Sequence, residues 1–243
     1  MSQVPNGTES YASALDRGSL DGVRIGVLRH YDPAPDSAEA VLYKESLGVL
    51  AERGAILVDI QEILGLDRIR YLEWSLLQRE FKLEINAYLA KTPESVSTRT
   101  LAELIDFNRA NAEAVMPHFG QDIFELSEQT SEEDEPPLET LATQLKRLAG
   151  AEGIDHLLAE SKCKMLVAPT SGRPFKIDLE NGDAPNIKYL PRTAQLPAVS
   201  GYPHLTVPMG LANGLPLGLS FIGTAFSEAE LLSAGYAFEQ ARP

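Results

Sequence analysis

The sequence predicts a layered α/β fold, in which helices flank a mixed β-sheet, for a chain of 243 residues. Two observations lead to this prediction. Short β-branched runs alternate with an amphipathic stretch in residues 20–60, as in strand–helix–strand units whose strands pair in parallel. Two later apolar runs flank an Asn-Gly step, which is typical of an antiparallel hairpin. A mixed sheet covered by helices accommodates both kinds of pairing.

The first strand–helix–strand unit lies between residues 23 and 60. Residues 23–28 (VRIGVL) form a short apolar run that predicts a buried strand. Asp36 or Ser37 is suited to cap a helix over residues 38–53, because both residue types accept hydrogen bonds from free N–H groups at a helix start. Residues 55–60 (AILVDI) form the second strand, and the helical crossover between the two strands predicts parallel pairing.

Residues 66–162 are predicted to be an almost entirely helical insert that lies to one side of the sheet as a cap. The amphipathic candidates are residues 66–90, 98–115 and 138–160. An acidic, proline-ended connector over residues 127–137 separates the last two. The expected organisation is a polar lead-in over residues 1–19 and one domain over residues 20–243 that carries this insert.

The remaining chain predicts one more buried strand, a long irregular segment and a closing hairpin with a helix. The strand-forming runs are residues 164–168, 205–209 and 217–222. The irregular segment, residues 169–203, is rich in Pro, Gly, Asn and Asp, and ordered segments of this kind are often functional. Pro208 and Pro216 are expected to end strands because they lack an N–H. Ser227 is expected to cap the last helix, with Glu230 completing a capping box.

Charge and cysteine content restrict the partners and the compartment. The net charge of −14 repels phosphate backbones and anionic lipid headgroups, so neither a nucleic acid nor a membrane is an expected partner. A single cysteine, Cys163, rules out a disulfide framework within one chain and fits a reducing cytoplasm. Residues 1–10 lack the basic-then-apolar order of a signal peptide. A cytoplasmic location is therefore expected.

Residues that match known catalytic or metal-binding motifs are interpreted as structural here. Ser161 and Lys164 match the Ser-x-x-Lys spacing of penicillin-recognising enzymes, but an extended segment points these side chains apart, so a polar edge before a strand is favoured. Cys163 is interpreted as inert packing rather than a nucleophile. The acidic residues 132–135 predict a solvated loop, because contiguous carboxylates cannot all face one ion. The four histidines lack metal-ligand spacing, so neither a metal nor another cofactor is expected.

Residues 196–242 resemble the carboxy-terminal end of amidase-signature hydrolases. The matching family pattern runs from a Gly-x-Pro step through a strand ending in Val-Pro, a Leu-Pro-x-Gly-Leu turn and strand, and a Ser-Glu step to a helix ending in Phe-Glu. Here these elements are residues 200–203, 205–208, 214–219, 221–223, 227–228 and 238–239. Three upstream stretches agree with the family pattern, namely residues 20–27, residues 100–108 followed by 116–121, and residues 166–172. The resemblance covers residues 20–242.

The resemblance also implies which part of the enzyme this chain supplies. The family cuts amides with a Ser-cis-Ser-Lys triad in a glycine- and serine-rich signature that precedes the strand corresponding to residues 23–28. No such signature occurs before that strand here, so no catalytic residue is carried over. We expect the substrate-side, carboxy-terminal portion of an amidase, inactive alone, whose intact enzyme hydrolyses a small carboxylic amide.

Five residues are the candidates for contact with substrate because they lie at element ends or in irregular stretches, where ligands are usually met. They are Phe119, Gln121, Thr170, Ser171 and Tyr202. Two alternatives stay open: a non-catalytic binding or assembly module, and a subunit that completes an active site with a partner chain. Half a sheet leaves open edges and apolar faces, so self-association is also expected.

Overall fold

The computed structural model describes residues 11–242 except 17, 19, 132, 134, 135 and 183–191. Its five strands are β1 (Arg24–Leu28), β2 (Ile56–Ile60), β3 (Met165–Pro169), β4 (His204–Ala212) and β5 (Leu215–Ile222). Its α-helices are α1 (Ala38–Glu52), α2 (Leu66–Leu89), α3 (Leu101–Ala110), α4 (Ala112–Val115), α5 (Asp122–Glu128), α6 (Leu138–Ala149), α7 (Asp155–Ser161), α8 (Gln195–Ser200) and α9 (Glu228–Ala241). Short 3₁₀ turns cover Tyr11–Ala14 and Arg29–Tyr31.

The strands form one mixed sheet in the order β2-β1-β3-β5-β4. β1 lies between β2 and β3 and pairs in parallel with both. β5 pairs antiparallel with β3 and with β4. The predicted mixed sheet flanked by helices is therefore confirmed, including the parallel first unit and the closing hairpin.

Local sequence accounts for the first unit. The Ser37 hydroxyl accepts a hydrogen bond from the Ala40 amide at 3.0 Å, which satisfies one of the free donors at the start of α1. The helix ends before Gly54, whose φ of +87° favours glycine. A Cβ at this position would lie 2.5 Å from the Asp21 carboxylate, so the close approach of the segment before β1 also requires glycine.

The hairpin turns at Asn213 and Gly214, which both have positive φ (52° and 80°), as a two-residue turn between twisted strands requires. The expectation that Pro208 ends a strand is wrong, because Pro208 lies within β4 and pairs with Gly218. β4 is at the end of the described sheet order, where a missing N–H is tolerated, and a register shift follows between Pro208 and Gly210. Pro216 likewise lies within β5, near its start.

The hydrophobic core lies on the sheet face that α1 and α9 cover. Phe221 of β5 and Phe238 of α9 are fully buried and meet edge to face, with ring centroids 6.2 Å apart. Other core members are Ile25, Val27, Leu50, Val167 and Leu231. Because side chains alternate along a strand, Ser220 lies on the opposite face from Leu219 and Phe221.

The chain divides into two compact units. One contains the sheet and comprises residues 1–66, 146–175 and 188–243. The other comprises residues 67–145 and 176–187 and is mostly helical. Within the helical unit, Phe81 stacks on Phe124 with centroids 5.3 Å apart. Lys82 closes the end of α5 by donating to the carbonyls of Glu128 and Thr130 at 2.6 and 2.9 Å.

Three helix predictions need correction. The single helix expected up to residue 115 breaks at Asn111, and α5 was not foreseen. The helix expected over residues 138–160 contains a π-helical turn at Gly150–Ile154 between α6 and α7. Ser227 does not form the expected capping box, because its hydroxyl donates to the Thr224 carbonyl at 2.7 Å. Most of the acidic loop at residues 132–135 lies outside the described residues.

Candidate functional site

A polar cluster lies across three neighbouring strands on the sheet face opposite the aromatic core. Ser220 of β5 pairs with Ala168 of β3 on one side and with Thr206 of β4 on the other. Thr170 follows the carboxyl end of β3, and His204 lies two residues before Thr206 on the same face. Strand pairing therefore brings hydroxyl and imidazole groups from three strands together.

Two short hydrogen bonds and one longer contact join the members of this cluster. The Ser220 hydroxyl lies 2.6 Å from His204 Nε2 and 2.8 Å from Thr170 Oγ1. Thr170 in turn donates to Thr206 Oγ1 at 3.4 Å. Gly218 makes room for this arrangement, because a Cβ there would lie 2.6 Å from Thr206 Cγ2 and 2.8 Å from Thr170 Oγ1.

The end of β3 is held firmly on both sides of Pro169. The buried Thr193 hydroxyl donates to the Pro169 carbonyl at 2.6 Å, and the Thr170 amide donates to the Gly218 carbonyl at 2.8 Å. The loop that follows is tied to the first turn of α1 by an ion pair between Arg173 and Glu39 at 3.2 Å. The Thr170 hydroxyl is thus presented from a fixed backbone.

The burial of the cluster indicates what chemistry it can perform. Ser220 is fully buried, so a substrate cannot reach its hydroxyl as a nucleophile must be reached. Burial lowers the pKa of His204, which keeps the half-buried imidazole neutral near neutral pH. Thr170 and Ser171 are partly accessible and Thr206 is exposed. The arrangement therefore orients hydroxyl groups at an accessible edge rather than activating a serine.

Of the five predicted residues, Thr170 belongs to this cluster and Ser171 follows it directly. Tyr202 has a bracing role, because its hydroxyl donates to Asp155 Oδ2 at 2.7 Å while Thr224 donates to Asp155 Oδ1 at 2.6 Å. Burial and the bond to Asp155 raise the pKa of Tyr202 to about 12. The Tyr202 ring also lies against Gly150, where a Cβ would approach the ring to 3.1 Å.

Phe119 and Gln121 lie in the helical unit. Phe119 is 53% exposed, with its ring centroid 6.5 Å from that of His118. The Gln121 side chain is engaged locally, because it donates to the Ile105 carbonyl at 3.1 Å and accepts from Asn108 at 3.0 Å. Contact of either residue with substrate stays a prediction.

His204, Thr206 and Ser220 were not among the predicted site residues. Their signal in the sequence is a polar residue at alternate positions of apolar strands, which places polar groups on one sheet face. The alternation at positions 204 and 206 is visible without a structure. Their partners are not, since Ser220 and Thr170 are 50 residues apart in the chain.

The motifs interpreted as structural are engaged in structural contacts. The Ser161 hydroxyl donates to the Leu157 carbonyl at 2.6 Å, and Lys164 pairs with Glu230 at 2.9 Å. These contacts support a polar edge rather than a nucleophile and base. Among the described residues, no group of three or more His, Cys, Asp or Glu side chains is placed to hold a metal ion. Within the same part of the chain, no helix has the length and apolar character that crossing a membrane requires.

Comparison with known proteins gives a consistent family relationship. The profile of the Amidase family matches residues 2–232. An Arabidopsis thaliana protein named as a probable amidase is 30% identical over 240 residues, which cover 98% of this chain and 41% of that protein. A glutamyl-tRNA(Gln) amidotransferase subunit from Moorella thermoacetica is 30% identical over 250 residues, covering 95% of this chain and 46% of that subunit.

Solved structures show the same relationship. The chain superposes on a peptide amidase in complex with the competitive inhibitor chymostatin with a TM-score of 0.85 and 34% identity, covering 98% of this chain and 47% of that one. The native peptide amidase of Stenotrophomonas maltophilia gives a TM-score of 0.81 and 33% identity, with the same coverage. The chain therefore spans about half the length of the proteins it matches.

Proposed function

Since this chain belongs to the Amidase family, we propose that it forms the substrate-side wall of an enzyme that hydrolyses carboxylic amides. The observation that carries the proposal is the Thr170 hydroxyl, which is held at the end of β3 by Ser220 and by a backbone bond to Gly218. A hydroxyl both donates and accepts, so it matches the carbonyl oxygen and the N–H groups of an amide. Thr170, Ser171 and Tyr202 of the sheet-containing unit are proposed to belong to the wall, and contact of Phe119 and Gln121 of the helical unit with substrate is proposed separately.

Hydrolysis of an amide needs more than a wall. A serine becomes nucleophilic only when a base takes its proton, and the developing oxyanion needs donors aimed at it. The Ser220 and His204 pair does not meet the first requirement, because Ser220 is fully buried. We therefore propose that the chain binds amides without hydrolysing them.

A hydrolysis assay tests the absence of turnover. Rigorously purified chain is incubated with a panel of primary amides, and ammonia release is followed. We expect no release above the rate without protein. Turnover that a single substitution in this chain abolishes would refute the proposed inactivity and identify the nucleophile or its base.

A binding assay tests the wall itself. Thr170→Val removes the hydroxyl while keeping the side-chain shape, and we expect affinity for benzamide to fall about fivefold, as for the loss of one neutral hydrogen bond. Thr170→Ser keeps the hydroxyl and is the matched control, with affinity expected within about twofold of the parent chain. Equal affinity of all three proteins would remove Thr170 from the wall.

A second candidate function is a subunit that completes an active site with another chain. The observation that favours it is the relative from Moorella thermoacetica, which is itself one subunit of an amidotransferase. Co-purification with a partner that restores amide hydrolysis would support this function. Amide binding with no partner that restores activity would favour the other alternative, a non-catalytic binding or assembly module.

Self-association is also proposed, on the basis of the two outer strands of the described sheet. β2 and β4 end the strand order, and each exposes a large apolar residue: Ile56 is 47% exposed and Leu211 is 66% exposed. Such strands offer unpaired backbone groups to another copy. Light scattering across a range of concentrations tests this proposal, and a monodisperse monomer at the highest concentration contradicts it.

A further inference from the structure

The contact from Thr170 to Thr206, together with a count of protons, favours one order of hydrogen bonds in the Thr170 cluster. In the contact with Thr206, Thr170 is the donor. A hydroxyl has one proton, so a Thr170 that donates to Thr206 accepts in the 2.8 Å contact with Ser220, in which either oxygen can be the donor. Ser220 thereby uses its own proton on Thr170.

The same order assigns a position to the proton on the imidazole. A Ser220 that donates to Thr170 has no second proton, so in this order it accepts in the 2.6 Å contact with His204 Nε2, where the roles depend on the tautomer of the ring. An imidazole nitrogen that donates carries a proton, which places the ring in the Nε2–H tautomer. The proton order then runs one way, from His204 through Ser220 to Thr170.

The last bond of this relay is its weakest. The 3.4 Å between Thr170 and Thr206 exceeds the usual range of about 2.5–3.0 Å for hydroxyl donors, whereas the two inner bonds lie within that range. Thr206 is exposed and Thr170 is partly exposed, while Ser220 is fully buried. An incoming acceptor can therefore replace Thr206 without disturbing the hydrogen bonds of Ser220 to Thr170 and to His204.

We propose that His204 and Ser220 are positioning residues that aim the Thr170 proton outward, so that Thr170 donates to the carbonyl oxygen of a bound amide in place of Thr206. The amide as ligand rests on the proposed function, whereas the relay rests on the geometry alone. Protonation of His204 leaves a proton on Nε2, so the direction of the relay is the same for the neutral and charged ring.

The tautomer of His204 is the direct test of the relay. Long-range proton–nitrogen NMR on protein with labelled histidine distinguishes a protonated Nε2 from a bare one. We expect a protonated Nε2 and a bare Nδ1 for the neutral ring. Ser220→Ala removes the acceptor and is expected to shift the Nε2 resonance, while Ser161→Ala, a matched change in α7, leaves it in place. A bare Nε2 in the parent chain overturns the relay.

A pair of ligands that differ only in the acceptor tests the outward donor. Benzamide and thiobenzamide carry the same N–H groups, but sulfur is a weak acceptor. The parent chain is expected to prefer benzamide by about fivefold. Thr170→Val and His204→Leu are expected to abolish the preference, and His204→Gln, whose amide nitrogen can replace Nε2 as donor, is expected to retain it. Equal binding of the two ligands by the parent chain overturns the outward donor.

The two tests separate the relay from the function on which its ligand rests. A protonated Nε2 together with no benzamide binding supports the relay and refutes the amide-binding wall. Benzamide binding together with a bare Nε2 supports the wall and refutes the relay. Circular dichroism on each variant establishes that it is folded. If His204→Leu does not fold, the tautomer of His204 in the parent chain still tests the relay.

Discussion

Replacing Gly218 with alanine adds a methyl group at the point where two threonines meet. Its Cβ would lie 2.6 Å from Thr206 Cγ2 and 2.8 Å from Thr170 Oγ1, compared with about 3.5–4 Å for an ordinary contact. Both threonines are β-branched and therefore stiff about χ1. Thr170 is additionally held by Ser220 at 2.8 Å.

The displacement required is about an ångström at each threonine, which is typical of overpacked sites that lose about 1–3 kcal/mol. Urea denaturation measures the loss as a lower midpoint with an unchanged slope. Gly48→Ala is the matched control, because Gly48 lies in α1 and a methyl group added there would meet nothing within 4 Å. We expect Gly48→Ala to stabilise by up to about 1 kcal/mol, since alanine is the better helix former.

Replacement by alanine is therefore expected to lower the free energy of unfolding at Gly218 and to raise it at Gly48. The Gly218→Ala protein should also lose the 2.8 Å contact between Thr170 and Ser220, which the Ser220 and His204 NMR signals report. A Gly218→Ala protein as stable as the parent chain, with unchanged His204 signals, would refute the packing on which the cluster depends.

Three further predictions concern the elements around the site. Tyr202 should titrate near pH 12 by absorbance. The stability that its raised pKa contributes should be lost as pH rises from about 10 to about 12, because the tyrosine of the unfolded chain ionises first. Asp155→Asn should lower the pKa of Tyr202, and an unshifted titration in that variant would contradict the hydrogen bond between Tyr202 and Asp155. Ser37→Ala should cost about 1 kcal/mol in urea denaturation through loss of the cap on Ala40, whereas no change would show that the cap is dispensable. Lys82→Met should cost about 1–3 kcal/mol by leaving two carbonyls at the end of α5 unsatisfied, and it fails as a prediction if hydrogen exchange in α5 is unaltered.

The elements that the sequence predicts well are those whose signals are local. The strands β1 and β2, the Ser37 cap and the Asn213-Gly214 turn each depend on a few adjacent residues. The helical crossover then favours parallel pairing, and the two-residue turn favours antiparallel pairing. A mixed sheet follows from these two local constraints.

The errors arise where a distant contact decides the local conformation. Tyr202 packs on Gly150, which is the first residue of the π-helical turn. The residues adjacent to Gly150 in the sequence do not predict this contact. Pro208 remains within β4 because that strand lies at the end of the described order, which is a property of the whole sheet. Ser227 bonds to Thr224 rather than capping α9, since the preceding turn competes for its hydroxyl.

The same distinction between local signals and distant contacts applies to the residues of the candidate site. Thr170 was predicted because it follows a buried strand and opens an irregular segment. His204 and Ser220 are 16 residues apart and meet only through the register of β4 on β5. A shift of one residue in that register would turn Ser220 towards the aromatic core.

The central claim is that the end of β3 receives the carbonyl of an amide. Titration of the labelled chain with benzamide, followed by backbone chemical shifts, tests this claim most directly. We predict saturable shifts that are largest at the amides of Thr170 and Ser171 and that disappear in the Thr170→Val protein. The absence of saturable shifts at these two amides, or the same shifts in Thr170→Val, would contradict the claim.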